Sequence, residues 1–177
     1  MKTFKIKKKQ NKKYPYKIKH TNGARVPVPS QYDFENNKTI QTQGCIIAAF
    51  YMGLRYAGKK KSMIQCLKYL QNNYSKGNHL NYNLELVCKA INKLCKGKPA
   101  KYYEKITQKE MRQSLKYGKM VLFTEREPIH TAVLLFDGSK VIRFSDGKYK
   151  DVTIEHEINK RCSDNWYKGC VVVERRK

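Results

Sequence analysis

The sequence predicts an α+β domain, and three observations carry that prediction. Apolar residues recur at helical spacing between about residues 45 and 117, short β-branched and aromatic runs follow Gly118, and 177 residues suit one core. A hydrophobic fraction of 40%, with 13 Tyr and 6 Phe, can fill that core, while no run approaches the roughly 18 apolar residues that cross a bilayer.

Residues 1–24 read as a basic N-terminal arm, and 25–177 as the folded domain. Within the arm, Phe4/Ile6 and Tyr14/Tyr16/Ile18 alternate with polar residues, so part of it is expected to add a strand. Val26-Pro27-Val28-Pro29-Ser30-Gln31 is extended, because each proline disfavours helix at the residue before it. The first helix is predicted from Cys45 to Ala57, with Gly58 as a left-handed cap, and it is apolar nearly all round, as a central helix should be. Ser62 caps a second helix carrying Met63, Ile64, Leu67 and Leu70; Asn83 caps a third carrying Leu84, Val87, Ala90, Ile91 and Leu94. Thr107 and Glu110 form a capping box for a fourth that ends before Gly118. Strands are predicted at 120–123, 130–136, 141–144, 152–154 and 170–173, in a mainly antiparallel sheet. A cleft between the helical front half and the sheet is the natural place for a site.

Thirty-eight Lys and Arg against 14 Asp and Glu give a formal charge of +24, and residues 1–31 contain no acid. The blocks Lys7-Lys8-Lys9, Lys12-Lys13 and Lys59-Lys60-Lys61 are the candidate nucleic-acid contacts, extended by lysines at 96, 98, 101, 105 and 109 with Tyr102 and Tyr103 for stacking. Lysine far exceeds arginine, as AT-rich coding favours, but that bias leaves the shortage of acids unexplained. The start, from Met1 to Lys9, lacks the apolar core of a secretory signal, so the expected place is the cytoplasm, or the host cytoplasm if a virus encodes the chain. There the six cysteines are expected to be reduced. No Cys-x-x-Cys pair occurs and no histidine stands at ligand spacing from a cysteine, so no metal and no cofactor are expected.

The chemistry points to Cys45. A thiol in the first turn of a helix faces N–H groups that lack internal partners and the positive end of the helix dipole, which favours thiolate. Gly44 is expected to let the entering backbone turn sharply and a substrate approach. Four histidines could serve as base: His20 lies in the arm, His79 in a polar loop, and His156 between two glutamates in an expected exposed turn. His130 opens the apolar strand Thr131 to Phe136, which can hold an imidazole at the mouth of a cleft. If Asp137-Gly138-Ser139 is a three-residue hairpin loop, Phe136 faces Lys140 and His130 faces Asp146, whose carboxylate can fix the imidazole tautomer. A two-residue turn would set Ser145 there instead. Gln31, Gln41 and Gln43 are candidates to share an oxyanion with the Cys45 N–H, and Gln31 is preferred because it follows the extended segment.

The order Val26-Pro27-Val28-Pro29-Ser30-Gln31-Tyr32-Asp33, Thr39 to Cys45, an Ala-rich helix with Met52 and Tyr56, His130-Thr131-Ala132-Val133 and Ser145-Asp146-Gly147 resembles the papain-like cysteine peptidases of the bacteriocin-leader-peptidase (double-glycine peptidase) type, over roughly residues 26–174. That resemblance implies a papain-like fold and a cysteine peptidase acting on a peptide or protein substrate. It implies Cys45 as nucleophile, His130 as base, Asp146 as orienting acid and Gln31 as oxyanion donor. The rival expectation is a silent papain-like fold whose charge binds nucleic acid or a ribonucleoprotein, as a small bacterial, phage or mobile-element protein that inhibits a host defence would.

Overall fold

The computed structural model describes residues 5–6, 16–17, 25–30, 34–35, 43–74, 83–125, 129–161 and 166–175. The candidate contacts Lys7, Lys8, Lys9, Lys12 and Lys13, with Gln31, Gln41, His20 and His79, lie outside these residues. Short strands β1 (Lys5–Ile6) and β4 (Phe34–Glu35) pair with each other, as do β2 (Tyr16–Lys17) and β3 (Arg25–Val26), so parts of the basic segment do form strands.

Three helices follow: α1 (Cys45–Tyr56), α2 (Met63–Tyr74) and α3 (Leu84–Cys95). Gly58 has φ +84° after α1. The Ser62 hydroxyl accepts from the Gln65 N–H while the Gln65 side chain accepts from the Ser62 N–H, and the Asn83 side chain accepts from the N–H groups of Glu85 and Leu86. Each predicted cap therefore satisfies N–H groups that the helix itself leaves unpaired. After α3 comes β5 (Ala100–Tyr103), which has no sequence-predicted counterpart. The Asn92 amide holds it by donating to the Ala100 carbonyl and accepting its N–H, both at 2.9 Å.

Helix α4 (Gln108–Lys116) begins with the capping box of Thr107 and Glu110. Replacing Thr107 by Ala should lower stability by about 1 kcal/mol in urea unfolding. Strands β6 (Met120–Glu125), β7 (His130–Phe136), β8 (Val141–Ser145) and β9 (Lys148–Val152) form a meander, and α5 (Ile154–Arg161) and β10 (Trp166–Val173) complete the chain. The six-stranded sheet is antiparallel, in the order β5-β10-β6-β7-β8-β9. The fold is thus α+β, as predicted. Among the described residues, no helix is long and apolar enough to cross a membrane.

Two details correct the sequence expectations. Helix α5 occupies what reads as the end of a strand and an exposed turn around His156, because the Thr153 hydroxyl accepts the His156 N–H and caps a new helix. The layers also differ from a helical half set beside a sheet half. Met120, Leu122, Val133, Leu135, Ile142 and Phe144 face a core with α1, α2 and α3, while Val121, Phe123, Ala132, Leu134 and Val141 face a second core with Met111 and Leu115 of α4. Both sheet faces are apolar, so both need a helical cover.

Candidate active site

Cys45 is the first residue of α1 and is buried, 3% exposed. No acidic residue stands in the first turn to oppose a thiolate. Gly44 has φ −75° and ψ −9°, so the expected sharp turn is absent and any residue could adopt this backbone. The other thiols are differently placed. Burial pushes the Cys66 thiol up to about 12 against a small lowering from Lys61, and burial also raises that of Cys88. Five cysteines, at 45, 66, 88, 95 and 170, are reduced and buried.

The hairpin register differs from both versions expected from sequence. Phe136 pairs with Val141 and Val133 with Phe144, while the Asp137 N–H donates to the Lys140 carbonyl. The buried Asp137 carboxylate accepts from the N–H groups of Ser139 and Lys140, which extends the ladder to a turn at Gly138-Ser139. A shift of one residue flips side chains to the other face. Ser145, rather than Asp146, consequently shares the face of His130, and the Ser145 hydroxyl lies 2.7 Å from His130 Nε2.

Asp146 still reaches the imidazole. It has φ +52° and the following Gly147 φ +71°, the left-handed pair of a two-residue Asp-Gly turn between the paired Ser145 and Lys148. This turn brings Asp146 Oδ2 to 3.5 Å from the Ser145 hydroxyl and 3.8 Å from His130 Nε2. The serine thus stands between imidazole and carboxylate, so the direct hydrogen bond expected from Asp146 is replaced by a relay. Among the described residues, Asp146 Oδ1 is buried with no hydrogen-bond partner.

The proline-rich segment 27–30 ties the approach to α1 to this hairpin. Val28 is buried in the core with α1, and the Pro29 carbonyl accepts the Gly147 N–H at 3.2 Å. A Cβ built on Gly147 would stand 2.8 Å from Ser30 Cβ, in a backbone conformation that side chains resist. Gly147→Ala should therefore cost about 1–3 kcal/mol in thermal unfolding. Ser30, the residue before Gln31, accordingly packs at the tip of the Asp146 turn.

The course of α1 relates Cys45 to this end of the sheet. The Tyr56 hydroxyl donates to the Gly118 carbonyl, and a Cβ on Gly53 would touch Leu122 and Val173, so the helix ends where β6 begins. Most of its sheet contacts are to β7 and β6. Its N-terminus therefore points toward the other end, where β6 finishes, β7 starts at His130 and β8 finishes at Ser145. By strand alternation His130 lies with Ala132 and Leu134 on the α4 side of the sheet, the face opposite the core that α1 covers.

Lys59, Lys60 and Lys61 follow the opposite end of α1. Lys96, Lys98, Lys101, Lys105 and Lys109 are exposed, but Tyr102 packs against the core, and Lys101 Nζ sits 4.5 Å from the Tyr103 ring centre. The two tyrosines are thus already occupied, which opposes the stacking role expected of them. Among the described residues no cluster of three His, Cys, Asp or Glu side chains could hold a metal.

Sequence reasoning missed one basic pocket. It measures about 390 Å³ and is lined by Arg143, Ser145, Asp146, Lys148, Tyr149 and Lys150. The Lys-x-Lys spacing on a strand after Asp-Gly was its only signal. Compared with protein-family models, curated proteins and solved structures, the chain matches none.

Proposed function

We propose that this chain is a cysteine peptidase-like hydrolase that cleaves an amide bond with Cys45 as nucleophile and His130 as base. One observation carries the reading: His130, Ser145 and Asp146 form a hydrogen-bonded chain at the end of the sheet toward which the Cys45 end of α1 points. Nε2 of the imidazole is engaged by Ser145, which leaves Nδ1 as the nitrogen to take a thiol proton. The Cys45 sulfur then attacks the carbonyl carbon, with its own N–H and Gln31 as oxyanion donors. His130 returns the proton to the leaving amine as the C–N bond breaks. Water, deprotonated by His130, next cleaves the thioester and restores the thiol.

Incubation with a proteome-derived peptide library, read by mass spectrometry, tests this proposal. New termini should accumulate with the native chain and fall about 10³-fold or more in Cys45→Ser and His130→Ala. Equal cleavage by Cys45→Ser would remove the hydrolase reading.

A second reading rests on charge. Among the described residues, Lys59, Lys60 and Lys61 form no ion pair, and they lie at the far end of α1 from Cys45. Single-stranded nucleic acid should bind with a steep salt dependence, and Lys59→Ala/Lys60→Ala/Lys61→Ala should flatten the slope by about 0.7 per lost phosphate contact. An unchanged slope would exclude this cluster as the contact.

A further inference from the structure

We propose that the pocket between β8 and β9 receives an acidic side chain of the peptide whose amide is presented to Cys45 and His130. This rests on the hydrolase reading and adds a substrate class to it. Ser145 pairs with Lys148 and Arg143 with Lys150, so these four side chains stand on one face of the hairpin. Their charges are unequally spent. Arg143 is held by Glu125 at 2.8 Å and by Glu157 at 3.8 Å, and Lys140 nearby is paired with Asp151. Lys148 and Lys150 are exposed, border the pocket, and have no carboxylate partner among the described residues.

The pocket shares a wall with the candidate site, since Ser145 and Asp146 line it and the Ser145 hydroxyl also bonds His130. A side chain seated there belongs to a chain passing the imidazole. The choice of peptide over nucleic acid follows from β9. It is the last strand of the sheet, and among the described residues nothing pairs with its outer side. Its row of backbone N–H and C=O groups can pair with an extended peptide, whereas a phosphodiester backbone carries no matching N–H donors.

Fluorescence anisotropy on the full chain carrying Cys45→Ser tests the pocket independently of turnover, with labelled hepta-glutamate, hepta-glutamine and deca-thymidylate as probes. Hepta-glutamate should bind more tightly than hepta-glutamine. Lys148→Ala/Lys150→Ala should weaken hepta-glutamate about tenfold, the size of two exposed charge pairs, and Lys59→Ala/Lys60→Ala/Lys61→Ala by less than twofold. Equal losses in the two variants would mean diffuse attraction to a basic surface, and no loss in the first would mean an idle pocket. A loss for deca-thymidylate as large as that for hepta-glutamate would make it a phosphate site. Each of these results overturns the proposal. In the native-cysteine chain, saturating hepta-glutamate should also slow Cys45 alkylation by iodoacetamide at least threefold, and an unchanged rate overturns the link to the site. Absent library cleavage with selective hepta-glutamate binding would instead reject the hydrolase and leave the pocket.

Discussion

Replacing Arg143 by Ala should lower unfolding free energy by about 3–5 kcal/mol, the largest loss expected from any single charged residue here. Arg143 is 12% exposed and stands between Glu125, 18% exposed, and Glu157, 3% exposed. Its guanidinium also lies 5.5 Å from the centre of the Phe123 ring. Removal leaves two carboxylates largely out of water without the guanidinium that now faces both. The midpoint of thermal unfolding should fall by about 10 °C for a domain of this size. A triple variant, Arg143→Met with Glu125→Gln and Glu157→Gln, should regain most of the loss, since it removes the charges together. Native stability in Arg143→Ala would mean that the ion pairs are too well hydrated to matter.

The second large effect concerns the thiols. Iodoacetamide at pH 7 should modify Cys45 at least 100-fold faster than Cys66 or Cys88 in the folded chain, read by peptide mapping. The thiolate is the reacting form, and a thiol pushed up to about 12 is ionised to only about one part in 10⁵ at pH 7. The same shift is a stability statement. A thiol raised on folding binds its proton more tightly in the folded chain, so the Cys66 contribution is unaffected by pH up to the ordinary thiol range and turns unfavourable above it. Cys66→Ala should therefore flatten the decline of stability above about pH 8.5, although it also removes a buried side chain. Equal labelling of the three cysteines in the folded chain would mean that Cys45 has no special reactivity.

Local rules served the sequence well where the chain speaks for itself. Ser62, Asn83 and Thr107 cap helices as their side chains dictate, and His130 to Phe136 is a strand with the bounds that its apolar run marks. What escaped is non-local. The runs Val121-Leu122-Phe123 and Ala132-Val133-Leu134-Leu135 are apolar on both faces, which signals a sheet covered twice, but not which helix crosses to the second side. Strand β5 depends on an amide eight residues earlier in α3, and no periodicity foretells that clamp. The site shows the same division. The proximity of His130 to Asp146 was legible from the hairpin, yet the one-residue shift made by the Asp137 carboxylate put Ser145 between them.

Amide hydrolysis by this chain requires an activated pair formed by the Cys45 sulfur and the His130 imidazole. The pH profile of Cys45 alkylation, measured from pH 4 to 10 in the native chain and in His130→Ala, tests it most directly. The native profile should titrate well below the ordinary thiol range, and His130→Ala should move it up to that range and lower the rate at pH 6 by about tenfold or more. Superimposable profiles for the two proteins would contradict the pair, and with it the hydrolase.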